Sequence, residues 1–367
     1  MNKENETRVS TESKELNISD KNSNINLENC CYYCNKPFIK ELWCEECDPF
    51  RMVEGWTSGN NDIDRFYQRY NLLHIKQVGE GAFSKVYSAI WNNGKTKYSK
   101  QDDGSWKKEE SNPIKVALKK LNGSQNMLDE HLNELKVHCN SSRTSLTFHG
   151  MTKDPDPKEF MMVLKFANQG NLRSFLSNNF NSILWKDKIN YLYCLIYDLE
   201  NLHNIGYYHK NLHSGNILQI DNIPYISDFR ISEPSFKQKS DDKICGVLPY
   251  IAPEVLNGES YTLLSDIYSF ELEIYNGLRP EFGKGTPEIY KELAYKCMNA
   301  DLNQRPTANE LRKDIRAMFE EADKEIPNIS TSYEKSPDAI YTSRLFTFNN
   351  LTKPVNSSLI TSYLDEE

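Results

Sequence analysis

No apolar run in the 367-residue chain approaches the ~20 residues that a membrane-spanning helix needs, which excludes a helical membrane protein. The opening MNKENETRVS lacks the apolar stretch of a secretory signal. A positive excess is missing too: the net charge is -8, which argues against nucleic acid or an anionic membrane as partner. These absences point to a soluble, cytoplasmic protein. In a reducing compartment the nine cysteines read as thiols or metal ligands before disulfides. Aromatics are nearly absent from residues 1–29, where Asn, Glu, Ser and Lys dominate, and that composition predicts disorder. No internal repeat is visible.

What is present is enough for one large domain with tails: 38% of residues are hydrophobic and 26% charged. A cysteine cluster fills 30–48 and a polar linker 49–71. Residues 92–112 are strongly polar and without periodicity, and read as a surface loop. A helical pattern runs from Met127 to His138, and Phe160 to Phe166 reads as an apolar strand. Ile189, Leu192, Ile196, Leu199 and Leu202 recur at three- and four-residue steps, the mark of a half-buried helix. Helices return over 262–322, and 323–367, rich in Ser, Thr, Asn and Tyr, reads as a disordered tail. A strand-rich part followed by a helix-rich part is an α+β pattern of two lobes with a cleft between them.

Several elements carry chemistry. Gly79-Glu80-Gly81-Ala82-Phe83-Ser84-Lys85-Val86 has the form of a glycine-rich loop whose backbone N–H groups can approach phosphate oxygens. A tight hairpin uses glycine equally well, so this signal alone decides nothing. Val116-Ala117-Leu118-Lys119 places a lysine at the end of an apolar strand, and Glu134 on the next helix offers a counter-ion. Then come His209-Lys210-Asn211-Leu212-His213-Ser214-Gly215-Asn216, Asp228-Phe229-Arg230 and Ala252-Pro253-Glu254.

In this order the motifs resemble a eukaryotic protein kinase. The runs LHSGNIL, GVLPYIAPEVL and CMNADLNQRPT resemble its tyrosine-kinase-like group, expanded in some fungi. The resemblance covers residues 72–322. It implies a bilobal fold with ATP and Mg2+ in the cleft and protein partners outside it. Gly79 and Gly81 would cover the phosphates, and Lys119 would contact them while paired to Glu134. Val86, Ala117, Leu164, Ala167 and Leu218 would line the adenine pocket, with Leu164 as gatekeeper and Lys165 to Ala167 as hinge. Asn216 and Asp228 would hold magnesium. His138, Phe148, His209 and Phe229 would stack into a spine. Asp266 would anchor the loop around Asn211, and Glu254 would pair with Arg305.

The pattern breaks where the reaction would occur. Asn211 stands where the family has the aspartate that takes the substrate hydroxyl's proton; an amide can position a hydroxyl but cannot accept its proton. Lys210 replaces an arginine and Arg230 a glycine, which should make the magnesium loop move less freely. After Asp266 the chain reaches ELEIYNGLRPEF about 20 residues sooner than the kinase pattern implies. Either Leu263 to Tyr275 forms one rewired helix, or the sequence is that of a defective gene product or gene model.

Upstream, Cys31, Cys34, Cys44 and Cys47 form C-x₂-C-x₉-C-x₂-C, two thiolate pairs able to hold one tetrahedral Zn2+ as a small knuckle; reduced surface cysteines are the alternative. The sequence therefore points to an ATP-binding pseudokinase. Its alternatives are a weakly active Ser/Thr or dual-specificity kinase and a zinc-dependent interaction protein.

Overall fold

The computed structural model describes residues 71–325 apart from 82–83, 93, 95–97, 101–105, 109–111, 125–128, 141–145, 155–158, 180–181, 236–243 and 272–285. It also describes 343–346, 353–356 and 360–361. The cysteine cluster and both segments flanking it, residues 1–70, lie outside the described residues.

The first lobe is a five-stranded antiparallel sheet built from Leu72–Glu80 (β1), Ser84–Trp91 (β2), Ile114–Leu121 (β5), Phe148–Lys153 (β6) and Phe160–Lys165 (β7). Its order is β1-β2-β5-β7-β6. The central strands are rich in Val, Ile, Leu and Met, and Val116, Leu118, Met162 and Val163 are wholly buried. The stretch 92–112, expected as a plain loop, contains a hairpin of Tyr98–Lys100 (β3) and Trp106–Lys108 (β4). Its strands are too short for an alternating pattern to register in a sequence window. Asp129–Asn140 (α1) is the helix expected near Met127–His138.

The second lobe is organised by Trp185–Asn204 (α3), preceded by Leu172–Asn179 (α2). Helix α3 buries Ile189, Leu192, Leu195, Ile196, Leu199 and Leu202 along one face. It ends where the Gly206 N–H reaches His203 O at 2.9 Å with Gly206 at φ 80°, a left-handed closing turn that suits glycine. Short strands Tyr207–Tyr208 (β8), Ile217–Ile220 (β9), Ile223–Ile226 (β10), Glu233–Pro234 (β11) and Ile244–Gly246 (β12) follow. Helices Pro253–Leu256 (α4), Leu263–Glu271 (α5), Glu288–Cys297 (α6) and Ala308–Glu325 (α7) complete the lobe. The rewired-helix expectation is described only to Glu271; its remainder lies outside the described residues.

Glu254 and Arg305 meet as expected, through two hydrogen bonds of 2.8 and 2.7 Å. Arg305 also donates to the carbonyls of Asn299 (2.8 Å) and Leu264 (3.0 Å), tying α4, α5 and the segment before α7 together. Within the segment expected as a disordered tail, the described pieces 343–346, 353–356 and 360–361 are ordered against the helical lobe. Arg344–Phe346 (β13) pairs with β12, Asn356 bonds to Asn299 and Ala300, and Ile360 joins the lobe's core. No helix of the described residues is long and apolar enough to cross a membrane.

Candidate functional site

Lys119 lies at the end of β5 and Glu134 on α1, and their side chains meet at 2.6 Å, both buried. The same ammonium reaches Asp228 Oδ1 at 2.5 Å across 109 residues of chain. The sequence pairs Lys119 with Glu134; the direct contact with Asp228 goes beyond that reading. Burial works against the Lys119 charge, but Asp228 and then Glu134 outweigh it, and its pKa rises above that of an ordinary lysine. Burial alone would raise the Asp228 carboxyl; the charge and hydrogen bond of Lys119 hold it below the usual range. At Glu134 burial prevails and the carboxyl is raised. The result is a fixed cation between two acids at the junction of the lobes.

The predicted apolar lining comes together. Leu164 is buried and Ala117, Ala167 and Leu218 are half-buried, all within one cluster. Val86 stands outside that cluster, paired with Lys119 on one side and Gly79 on the other. The chain after β7 is clamped to the β9–β10 hairpin. Asn168 Nδ2 donates to Asp221 at 2.8 Å, and Gln169 Nε2 donates to Asn222 at 2.7 Å. Asp221 and Asn222 have φ of 53° and 63°, as a two-residue hairpin turn requires. These bonds tie the stretch after β7 to the hairpin that carries Leu218.

Gly79 and Gly81 sit at the turn of the β1–β2 hairpin, with the Gly81 N–H on Ser84 O at 2.9 Å. A Cβ at either would meet its nearest atoms at 3.8 and 3.9 Å, ordinary contact, and neither has positive φ. Neither space nor backbone within the described hairpin demands glycine there.

The loop carrying Asn211 hangs from Asp266. Its carboxylate accepts the backbone N–H groups of His209 (2.7 Å) and Lys210 (3.1 Å) and the Tyr261 hydroxyl (2.6 Å). Asn216 Nδ2 donates to the Asn211 carbonyl at 2.9 Å, and the Ser227 N–H donates to the Asn216 carbonyl at 2.9 Å. This places Asn211, Asn216 and Asp228 on one edge of the cleft. The Asn211 Oδ1 accepts the hydroxyl of Ser343 at 3.3 Å, a residue the sequence reading missed because 132 positions separate them. Positive φ falls at Lys210 (66°) and Asp228 (67°), whereas Arg230 is not among the positive-φ residues. Arg230 therefore does not need the backbone freedom of the glycine it replaces.

The four rings of the expected spine meet in sequence, His138 stacked on Phe148 and Phe229 edge-on to His138 and His209. The His138 ring lies 5.9 Å from Phe148 and 5.0 Å from Phe229, and Phe229 lies 5.4 Å from His209. Burial, then Lys119, lowers the His138 pKa to about 3, so it stays neutral in the fold. In the unfolded chain it takes a proton near pH 6.5. Between those values the unfolded state holds more protons, so the contribution is whole above pH 6.5 and is lost as pH falls. The buried carboxyls of Asp198 and Glu134, both raised, act in the opposite direction. The clean measurement is therefore a difference. In urea melts, His138→Phe should lose about 1 kcal/mol less stability than the parent between pH 6.5 and 5.5. Parallel pH profiles would show that His138 is not held neutral.

The comparisons agree with this geometry. A model of the protein tyrosine and serine/threonine kinase family matches residues 72–281. A probable serine/threonine-protein kinase of Dictyostelium discoideum is 24% identical over 299 residues, covering 70% of this chain and 16% of the relative. A putative serine/threonine-protein kinase/receptor of Acanthamoeba polyphaga mimivirus is 26% identical over 305 residues, covering 74% of this chain and 17% of the relative. The matched region is thus about a sixth of each relative's length.

Proposed function

The chain belongs to the protein tyrosine and serine/threonine kinase family, and from that membership we propose that it binds Mg·ATP between its lobes and transfers phosphate poorly. The observation that carries this reading is the contrast within one site. Lys119, Glu134 and Asp228 are joined in a single network, buried at Lys119 and Glu134 and open to the cleft at Asp228, while the neighbouring Asn211 presents an amide where a carboxylate would take the proton.

The residues present fit the nucleotide. Asp228 and Asn216 offer hard oxygen ligands of the kind magnesium takes. Lys119 offers a cation for the phosphates, and Gly79 and Gly81, which the hairpin itself does not need, leave room for close approach of a phosphate. Magnesium, when bound, would neutralise charge on the phosphate oxygens. The chain's own part is to position: Asp266 fixes the Asn211 loop, and Lys119 is fixed by its two acids.

The test is thermal. Mg·ATP should raise the melting temperature of the full chain, because it binds only the folded state, and Lys119→Met should abolish most of the rise. A folded sample that shows no shift with ATP or ADP would defeat the reading.

A second reading, weak phosphotransfer to Ser or Thr, is favoured by one contact: Asn211 still accepts a hydroxyl, that of Ser343. Phosphoryl transfer passes through a loose transition state, so a missing base need not abolish it.

The zinc reading rests on the spacing of Cys31, Cys34, Cys44 and Cys47, which lie outside the described residues. Purified protein should carry about one equivalent of zinc, lost in Cys34→Ser/Cys47→Ser with the ATP shift intact. Elemental analysis without zinc, in protein prepared free of chelator, would reject it.

A further inference from the structure

The C-terminal segment returns to the cleft and passes beside Asn211 at Ser343. Strand β13 pairs antiparallel with β12 in the register Ile244↔Phe346, Cys245↔Leu345, Gly246↔Arg344. One residue before the strand, the Ser343 hydroxyl donates to Asn211 Oδ1 at 3.3 Å and lies 3.6 Å from Cys245 Sγ. Three residues further along, half-buried Phe346 packs with Ile244 against the core of the helical lobe. Beyond that, Asn356 Oδ1 accepts the Ala300 N–H at 2.7 Å, and Ile360 is 4% exposed in the same core. Gly246, facing Ile251 and the Asn211 amide, admits a close approach of Ile251. A Cβ there would come within 3.0 Å of Ile251 and 3.9 Å of Asn211 Oδ1.

We infer that residues 343–346 are a built-in occupant of an acceptor-peptide groove, which takes an extended chain with a hydroxyl residue at Asn211 and an aromatic three residues later. Strand addition supplies main-chain hydrogen bonds, while the two side chains supply selectivity. A two-stranded pairing is marginal by itself, so the segment is held chiefly by Phe346 and by its tether. A tether of this kind gives an effective concentration of roughly millimolar order, which a competing protein segment must exceed. Asn211 cannot take the Ser343 proton, so the occupant is held rather than consumed. The contacts involve Asn211 and β12, not Lys119 or Asp228, and so do not depend on nucleotide binding.

Cys245 reports the occupancy. In the full chain, iodoacetamide labelling of Cys245 is followed by peptide mass spectrometry, with buried Cys297 as the internal control for folding. Leu345→Pro/Phe346→Asp fixes a strand φ and places a charge where the aromatic packs. Labelling of Cys245 should become about tenfold faster in this variant while Cys297 stays slow. A peptide of residues 340–349 added in trans should restore slow labelling, and the same peptide carrying Phe346→Asp should not. If Cys297 also accelerates, the milder Phe346→Ser is used, with the same expectation for Cys245. Equal Cys245 rates in parent and folded variant, or no protection by the peptide, overturn the inference. The ATP thermal shift, measured on the same samples, separates this outcome from a failure of nucleotide binding.

Discussion

Replacing Arg305 with alanine is expected to destabilise the chain by about 3–5 kcal/mol, the cost of leaving a buried charge without its partner. The side chains of Arg305 and Glu254 are 0% and 3% exposed, so water cannot replace what is lost. The deletion would strand the Glu254 carboxylate, left among the described residues with the Ser265 hydroxyl at 2.9 Å, and remove a donor from the carbonyls of Asn299 and Leu264. It would also remove a guanidinium stacked 5.1 Å from the Tyr268 ring centre. Removing both charges in Glu254→Leu/Arg305→Met should cost clearly less than the sum of the single changes, because no unpaired ion remains. Denaturant melts measure both. A loss below about 1 kcal/mol for Arg305→Ala would place the pair in the class of exposed ion pairs and refute the role given to it.

The second large effect is a gain. Asn211→Asp puts a proton acceptor at the atom that now receives the Ser343 hydroxyl. The Ser343 oxygen would attack the γ-phosphorus, the bond to the β-phosphate bridge oxygen would break, and the serine proton would pass to Asp. General base catalysis contributes about 10²–10⁴-fold, so Mg·ATP-dependent phosphate at Ser343 should rise by up to that factor. Added protein substrates should gain little while the tail strand fills the groove. Mass spectrometry locates the phosphate. No rise at Ser343 in a variant that still shows the ATP thermal shift would mean that the block lies elsewhere than the base. The shortened stretch after Asp266 would then be the next place to look.

Much of this site is legible in the sequence because its residues carry unusual chemistry in a fixed order. Lys119 after an apolar strand, with Glu134 on the following helix, is legible from the residues themselves, whereas the anchoring by Asp266 and the pairing of Glu254 with Arg305 come from the kinase resemblance. The structure pairs each of them. The two lobes follow from the change of period between the Ile114–Leu121 strand and the Trp185–Asn204 helix. What escapes the sequence is contact without local pattern. Tyr98–Lys100 and Trp106–Lys108 are three-residue strands in a polar stretch, and nothing in their alternation sets them apart. The tail is the larger case. Its Ser, Thr and Asn content reads as unfolded chain, while its described pieces are held by pairing with Ile244–Gly246 and by burial of Ile360. At Arg230, where the resemblance has glycine, the backbone is outside the left-handed region, and the positive φ falls instead on Asp228.

The central claim is that the cleft is built for nucleotide but lacks the base for transfer. Its most direct test is γ-phosphate transfer from labelled Mg·ATP by the unmodified full chain, to itself and to a general acceptor protein, beside the Asp228→Asn variant. Transfer indistinguishable from that of Asp228→Asn, in protein whose melting temperature ATP raises, is the predicted result. Robust transfer by the unmodified chain, abolished by Asp228→Asn, would contradict it.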